Sequence, residues 1–241
     1  MPNEYTKTWQ DRFLRSSSPE GARQALTDKQ VQFLRTQLPL PQFRRVLDVC
    51  CGLGRHVGPL AAAGYEMVGI DRDSNLIAEA QAKFPKSEFI CMDMRHLDDL
   101  HEEFDAVICM WQSFGYFDED TNREVLAKMA ELVVPSGRII LDLHNRNYFE
   151  AKEWNTGGQH WTAGSWDYSD LTRYRDGRLV VQIQFATGEL DTFDWQLYSP
   201  QEMKALGESV GLRELLMCAE LSPEQVAGNR RRVFQIVFEK P

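Results

Sequence analysis

No stretch of this sequence is apolar for anything near the roughly 20 residues that span a bilayer, so no membrane partner is expected. The opening "MPNEYTKTWQDRF" is polar and of mixed charge, without the apolar centre of a secretion signal. Cysteine is scarce and odd in number. Cys50, Cys51, Cys91, Cys109 and Cys218 form no C-x-x-C pair, which argues against a zinc ribbon or a dithiol redox motif, and no metal site is expected. Four of the five lie in or beside apolar runs, where a thiol behaves as a small hydrophobe. Reduced cysteines and the absent signal together predict a cytoplasmic protein. Positive charge is also short: 27 Lys and Arg face 36 Asp and Glu, for a net charge of −9. An acidic chain repels phosphate backbones, which disfavours nucleic acid as a partner. The only dense basic cluster, Arg230-Arg231-Arg232, precedes the final apolar run and reads as a solvated strand entrance. Internal repeats and low-complexity segments are absent.

What is present is a periodic core. The chain has 241 residues, 43% of them hydrophobic, enough for one large domain or a domain with an inserted cap. Residues from about 4 to 38 read as two helices. The second, "TDKQVQFLRTQL", has Thr27 at the N-cap position and Val31, Leu34 and Leu38 along one face. From Arg45 strands and helices alternate. The strands are "RVLDVC", "YEMVGID", "SEFICMD", "FDAVICMW" and "RIILDLHN". Between them lie helical stretches: one closed by Gly64, one with Ser74 as cap, and an acid-started one that stops at Pro135-Ser136-Gly137. This rhythm implies right-handed βαβ crossovers and a parallel sheet.

The rhythm breaks after Asn147. Residues 148–168 show no clear period; then "LTRYR", "RLVVQIQFA" and "ELDTFDWQLY" follow, separated by the hairpin signals Asp176-Gly177 and Ala186-Thr187-Gly188. An antiparallel meander is expected here. Alternation returns with "SPQEMKALGESVG", capped by Ser199 with Pro200 at the first helical position, and with two final strands, "LRELLMCAEL" and "RRVFQIVFE". The insert holds Trp154, Trp161, Trp166 and Trp195 of six tryptophans, which places an aromatic surface in the cap.

The first strand ends in "VLDVCCGLGRHVG". Glycines between a strand and a helix leave backbone N–H groups open to a ligand and permit its close approach. Asp71 ends the second strand on the same sheet edge, where an acid accepts the hydroxyls of a ribose. A dinucleotide fingerprint has glycines as G-x-G-x-x-G, but here Gly58 comes one place late after Gly52 and Gly54. Asp48, four residues before Gly52, is unsuited to a pyrophosphate and suited to a cation. The ligand expected is a ribose-bearing cation.

"VLDVCCGLGRH" resembles the D-x-x-C-G-x-G loop of class I S-adenosylmethionine-dependent methyltransferases, and "VGIDRD", "ICMDMRHL", "FDAVICMWQSFGYF" and "LVVPSGRIILD" are similar to the segments that follow in that family, over residues 43 to 145. The resemblance implies an α/β, Rossmann-like doubly wound seven-stranded sheet, mostly parallel with an antiparallel last strand, plus a small antiparallel β cap of the kind found in members that methylate small molecules. The implied organisation is an N-terminal helical cover at 1–42, a cofactor-binding domain at 43–147 and 199–241, and the cap at 148–198. The implied cofactor is S-adenosyl-L-methionine. Cys50, Gly52 and Gly54 would flank its methionine part, Asp48 would hold its amino group directly or through water, and Asp71, with Arg72 beside it, its ribose. Asp93 would accept from the adenine amine with Met94 on the ring, while Met110 and Trp111 would form the floor.

Methyl transfer then needs a nucleophile placed in line with the sulfonium methyl, and a base if that nucleophile carries a proton. Tyr116, His144, Asn145 and Tyr148 are the candidates, with His144 and Tyr116 in front and His144 best by its ordinary pKa. A structural hydrogen-bond role for His144 stays open. His56, His96 and His101 read as solvated, and His160 belongs to the insert. The expected activity is methyl transfer to a small-molecule oxygen or nitrogen, by a monomer or homodimer. Open alternatives are a protein or RNA methyltransferase, a non-catalytic adenosyl-ligand or interaction module, and a nucleotide-dependent oxidoreductase. The segment "WQSFGYF" lacks the N-P-P-F/Y tetrapeptide that points to planar amide or base amines.

Overall fold

The structure, a computed structural model, describes residues 20–241 except 153–154, 164–165, 186–187 and 189. The expected helix before residue 20 lies outside the described residues. Helix α1 (Glu20–Gln37) opens the described chain. It runs longer than the sequence implied, so Thr27 is not a cap: it sits mid-helix, buried, with its hydroxyl accepting from Arg55 Nη1 at 3.0 Å. Then follow β1 (Arg45–Val49), α2 (Val57–Ala62), β2 (Glu66–Asp71), α3 (Ser74–Lys83), β3 (Glu88–Cys91), a 3₁₀ segment (Met94–Asp99), β4 (Phe104–Cys109), α4 (Glu119–Leu132) and β5 (Val133–His144). Asp73, not Ser74, caps α3, accepting from the backbone N–H of Asn75 and Leu76. β5 starts before the Pro-Ser-Gly turn and carries it as an irregularity, with Ser136 at φ 64° and a register shift against β4.

After β5 come a short helix α5 (Arg146–Ala151), the strands β6 (Asn155–Ala163), β7 (Trp166–Arg175), β8 (Arg178–Phe185) and β9 (Leu190–Gln196), helix α6 (Pro200–Ser209), β10 (Arg213–Ala219) and β11 (Val233–Glu239). The main sheet has the order β10-β11-β5-β4-β1-β2-β3. β11 is antiparallel to both neighbours and the other described pairings are parallel, so the expected seven-stranded Rossmann-like sheet with a reversed last strand is what forms. The second sheet is antiparallel, β6-β7-β8-β9. Its first strand was hidden in the sequence because the pairing shifts register between Thr156 and Gln159, across Gly157-Gly158, which breaks the alternation. The Asp176-Gly177 hairpin forms as expected, with φ 51° and 80°. Ser199 closes a capping box with Glu202.

Period-2 alternation decides which layer each strand residue joins. Leu47, Val49, Val107, Ile139, Leu141, Phe234 and Ile236 face α4 and α6 with Met129 and Met203. Val46, Ala106, Ile108, Ile140 and Val237 face α1 and α2 with Phe33, Leu34 and Leu60. On that second face β1, β5 and β11 each carry a buried polar residue, Asp48, Asp142 and Gln235.

Asp142 ties these elements together. Its Oδ2 accepts from Gln30 Nε2 on α1 at 3.2 Å, from the Trp111 N–H at 3.0 Å and from Gln112 Nε2 at 2.9 Å, and its Oδ1 accepts from Gln235 Nε2 at 2.7 Å. Trp111 and Gln112 both sit in the left-handed region, φ 56° and 58°, a conformation costly for side chains of this size. The carboxylate holds that turn at the end of β4. Replacing Asp142 with alanine leaves four donors without their partner in a dry site, and each such loss costs on the order of 1–3 kcal/mol. Asp142→Ala is expected to lose at least about 3 kcal/mol in urea unfolding, and Asp142→Asn, which keeps one acceptor oxygen, less. Equal stability of both variants with the parent protein would refute this.

Candidate active site

Three features of the local sequence shape the loop after β1. Cys50, Gly52 and Gly54 take positive φ values of 64°, 53° and 72°, so the chain turns back on itself between β1 and α2. Cys51 N–H donates to the Ile70 carbonyl at 2.9 Å. Asp71 receives the Gly52 N–H on Oδ2 and the Asp73 N–H on Oδ1, both at 3.0 Å. Behind the loop, a side chain at Gly54 would meet the Phe89 and Phe84 rings at 3.0 and 3.1 Å, and one at Gly58 would meet Phe84 at 2.2 Å. Gly58, out of step with the dinucleotide pattern, is thus needed for packing α2 on the end of α3.

The loop borders a cleft of about 1350 Å³. Of the expected cofactor residues, Cys50, Gly52, Asp71, Arg72, Asp93, Met94, Met110 and Trp111 line it. Asp48 and Gly54 stand behind that wall. Asp71 is 7% exposed, and burial pushes its carboxyl up from the ordinary range against the pull of its two N–H donors. Asp93 caps the 3₁₀ segment and is engaged by Arg95, whose Nε and Nη2 donate at 3.0 and 2.7 Å. Burial raises the Asp93 carboxyl, but the Arg95 hydrogen bonds and charge outweigh it and the net shift is downward. Asp93 therefore meets any ligand as a carboxylate shared with Arg95, which stacks over Phe117 at 4.8 Å.

Beneath the loop His56 is buried at 4% exposure, not solvated as the sequence implied. Asp142 accepts from the Gln30 amide nitrogen, so the Gln30 oxygen faces the other way, accepting from Arg55 Nη1 at 2.7 Å and lying 3.1 Å from His56 Nε2. That assigns the imidazole proton to Nε2. Burial, then the charge of Arg55, lowers the His56 pKa in spite of Asp48. The lone pair on Nδ1 then points toward Asp48 Oδ2 at 3.8 Å, and that oxygen, in a residue 1% exposed, has no hydrogen-bond partner among the described residues. Two acceptors facing each other call for a donor or a cation, and His56 itself lines the cleft. These residues are compatible with S-adenosylmethionine as the resemblance implies it: Asp71 would stand at its ribose and Met94 at the face of its base, with Asp48 behind the wall near its charged end.

At the other end of the cleft Tyr116, His144, Tyr148, Phe193 and Trp195 come together. Trp195 lies 5.6 Å from Tyr116, 6.1 Å from His144 and 5.2 Å, stacked, from Phe193. Trp154, Trp161, Trp166 and Tyr168 lie outside the residues whose side chains are described. His144 departs from its expected chemistry: burial first, and then the charge of Arg232, push its pKa down to about 3. Its Nδ1 makes no hydrogen bond among the described residues. Asn145 drops out as a base, because its amide accepts from the Asn147 N–H and donates to the Gly228 and Arg231 carbonyls at 2.9 and 3.0 Å. The sequence reading missed Asp142, Gln30 and the role of Arg230-Arg231-Arg232, which lines the cleft. A polar residue at an inward strand position was the available signal for Asp142. His96 and His101 are exposed as expected. Among the described residues no three His, Cys, Asp or Glu side chains gather as metal ligands, and no helix is long and apolar enough to cross a membrane.

Residues 46–137 match the family described as a methyltransferase domain. A glycine/sarcosine N-methyltransferase of Halorhodospira halochloris is 36% identical over 110 residues, which are 43% of this chain and 40% of that protein. Matches to the first three curated relatives span between 40% and 58% of their length. The crystal structure of an S-adenosylmethionine-dependent methyltransferase from Clostridium acetobutylicum superposes with a TM-score of 0.78 at 17% identity, covering 88% of this chain and 91% of that one. An amino pentose methyltransferase from Micromonospora echinaspora, solved with S-adenosylmethionine bound, gives 0.69 at 17% identity over the whole of both chains. At such identities these two likenesses establish the fold. Residues 46–137 thus match a methyltransferase domain, and the chain has the fold of S-adenosylmethionine-dependent methyltransferases.

Proposed function

We propose that this protein transfers a methyl group from S-adenosylmethionine to the amine nitrogen of a small molecule, by direct in-line displacement. The observation that carries the reading is the continuity of the cleft from the Gly52 loop and Asp71 to Tyr116, His144 and Trp195. When bound, the cofactor supplies an electrophilic methyl group on a sulfonium. The chain contributes placement, and good alignment is worth about 7–11 kcal/mol of the barrier. The Asp142-locked turn sets Met110 and Trp111 in the wall between the two ends. The aromatic end excludes water, and ring faces attract an amine in its cationic form before it loses its proton. The relative named for glycine and sarcosine N-methylation favours nitrogen over oxygen.

His144 is uncharged at neutral pH. It accepts a hydrogen bond from the amine and orients the nitrogen lone pair. A conjugate-acid pKa of about 3 makes it a weak base, since efficiency as a base rises with basicity. The proton of an ammonium acceptor passes to bulk water at the mouth of the cleft, before the nitrogen seats at the aromatic end.

Three measurements bear on this. Calorimetry on chelator-treated protein is expected to detect S-adenosylmethionine and its demethylated product, and Asp71→Ala to weaken both by about tenfold to a hundredfold, the value of a charged hydrogen bond of 1.5–3 kcal/mol. Absence of heat at millimolar ligand would sink the reading, and tighter binding of NAD would favour an oxidoreductase. With radiolabelled cofactor and a panel of small amines, His144→Gln is expected to lower kcat on the order of tenfold, below the 10²–10⁴ of a strong general base, with cofactor affinity unchanged. The rising limb of kcat/KM with pH should move with the pKa of the amine chosen, and a limb near 6.5 that disappears in His144→Gln would contradict the neutral imidazole.

The same depressed pKa affects stability. Between about 6.5, where the unfolded imidazole titrates, and about 3, the unfolded chain binds the proton and the folded one does not, so stability falls as pH falls through that window. His144→Gln should flatten that fall in acid unfolding and leave stability at pH 8 little changed; an identical pH dependence in the variant would show the imidazole to be in water.

A further inference from the structure

Asp93 meets the cleft with most of its bonding capacity already taken. An ionised carboxylate offers about four acceptor sites. Arg95 fills three of them: its backbone N–H and its Nε donate to Oδ1, each at 3.0 Å, and its Nη2 donates to Oδ2 at 2.7 Å. Asp93 lines the cleft and Arg95 does not. The guanidinium thus grips the carboxylate from outside and leaves one acceptor position, on Oδ2, to a ligand inside.

An ion pair near the surface contributes little unless its geometry is bidentate and fixed. This one is bidentate, and three elements fix it. The Arg95 guanidinium lies over the Phe117 ring at 4.8 Å. Phe117 is anchored in turn: Asn122 accepts from its N–H at 3.3 Å and donates to its carbonyl at 2.9 Å, and Arg178 of the second sheet donates to the same carbonyl at 3.2 Å. Behind the segment, Lys128 on α4 donates to the Arg95 carbonyl at 2.5 Å and pairs with Asp98 at 2.6 Å. The Asp93 carboxylate can neither rotate nor take up a proton without breaking this fork.

An acceptor that cannot become a donor discriminates between purines. A base with an amino group at the 6-position presents an N–H to it. The 6-oxo counterpart presents a second acceptor, which an ionised carboxylate repels and a protonated carboxyl would welcome, because its O–H donates.

We propose that Arg95 is a positioning residue for base recognition: by holding Asp93 as an oriented, ionised acceptor it restricts the cofactor to purines that carry an amino group and excludes their 6-oxo counterparts. The assignment rests on the reading of Asp93 as the residue that meets the adenine amine, and it gives the selection to a side chain outside the cleft. The charges around Asp93 agree with it. Burial raises the carboxyl; the hydrogen bonds and charge of Arg95, and then the charge of Arg72 after β2, outweigh that rise. Without the guanidinium, burial is opposed only by the Arg95 backbone N–H and by Arg72. The carboxyl then moves upward, and its protonated fraction grows as pH falls.

The test compares S-adenosylhomocysteine with its 6-oxo counterpart, S-inosylhomocysteine, by calorimetry on the full chain at pH 8 and pH 5.5. Groups that titrate elsewhere in the cleft affect both ligands alike and cancel in the ratio of their dissociation constants. The parent protein is expected to favour the adenosyl ligand by at least about a hundredfold at both pH values, since a site built to accept from an N–H rejects an analogue without it. Arg95 is exposed, so its variants should fold. Arg95→Gln should lower the ratio at least tenfold at pH 5.5 and less at pH 8. Arg95→Lys, which keeps the charge and loses the fork, should lie between Arg95→Gln and the parent. Asp93→Asn, which still caps the 3₁₀ segment and whose amide turns either an oxygen or an NH₂ to the base, should bring the ratio to within about tenfold of one at both pH values. A parent ratio near one, a ratio that Arg95→Gln leaves unchanged, or an equal loss of both ligands in that variant gives Arg95 a structural role only and overturns the proposal. An unchanged ratio in Asp93→Asn places the base elsewhere and overturns it together with the reading of Asp93. Selective binding of the adenosyl ligand without methyl transfer to any amine would sink the transferase reading and leave the role of Arg95 standing.

Discussion

A single carboxylate in a dry layer, that of Asp142, sets much of the geometry on which the site depends. It takes donors from α1, from the turn after β4 and from β11. Burial raises its pKa, while the hydrogen bonds from Gln235, Trp111 and Gln30 and the charge of Arg55 oppose that shift. A buried charge is tolerated only when its lone pairs are filled, so the elements that supply the donors are held in one arrangement. The turn that bears Trp111 and Gln112 keeps its two left-handed residues by this means. Gln30 extends the network, for its amide oxygen orients Arg55 and His56. Arg55 in turn lies over the Trp111 ring at 4.7 Å, so the helix that covers the sheet, the cofactor loop and the wall of the cleft share one set of polar contacts.

The cofactor loop depends on a second, apolar constraint. Phe84 and Phe89 fill the space behind Gly54 and Gly58, which brings α2 close to α3 and leaves no room for side chains at those positions. In front, Asp71 binds the Gly52 N–H. The loop is thus pressed from behind by rings and held in front by a carboxylate. Asp48 contributes from below, through the facing pair it forms with His56, not from the cleft wall.

The second sheet is built onto this frame at specific points. Gly115, at φ 112°, lets the chain approach so closely that a Cβ would lie 2.5 Å from the Gln196 carbonyl oxygen, and Arg178 joins Asp194 to the Phe117 carbonyl at 2.5 and 3.2 Å. Phe149, Leu179 and Leu197 form a small core of their own beneath it. Trp195 and Phe193 are thereby set against Tyr116 and His144. The apolar rings and the nearby Arg232 keep His144 neutral, so one environment both lines that end of the cleft and sets the protonation of this imidazole.

Local patterns in the sequence determined the order of strands and helices from Arg45 to Asn145, the two-faced alternation within each strand, the glycine turn, the acid ending β2 and the one just after β3, and the Ser199 cap with Pro200 behind it. Each depends on residues close together in the chain, which is why periodicity and turn chemistry reveal it. Tertiary structure decided what depends on distant partners. Thr27 lost its reading as a cap because α1 continues past it, and β6 was hidden because a shift at Gly157-Gly158 disrupts its period. His56 became buried and His144 lost its basicity through neighbours from other elements. Asp142 and Gln235 are 93 residues apart, and Arg232 comes beside His144 only because the last strand runs backwards. Charge and burial are summed over space, so a linear reading finds the groups and the folded chain settles their chemistry.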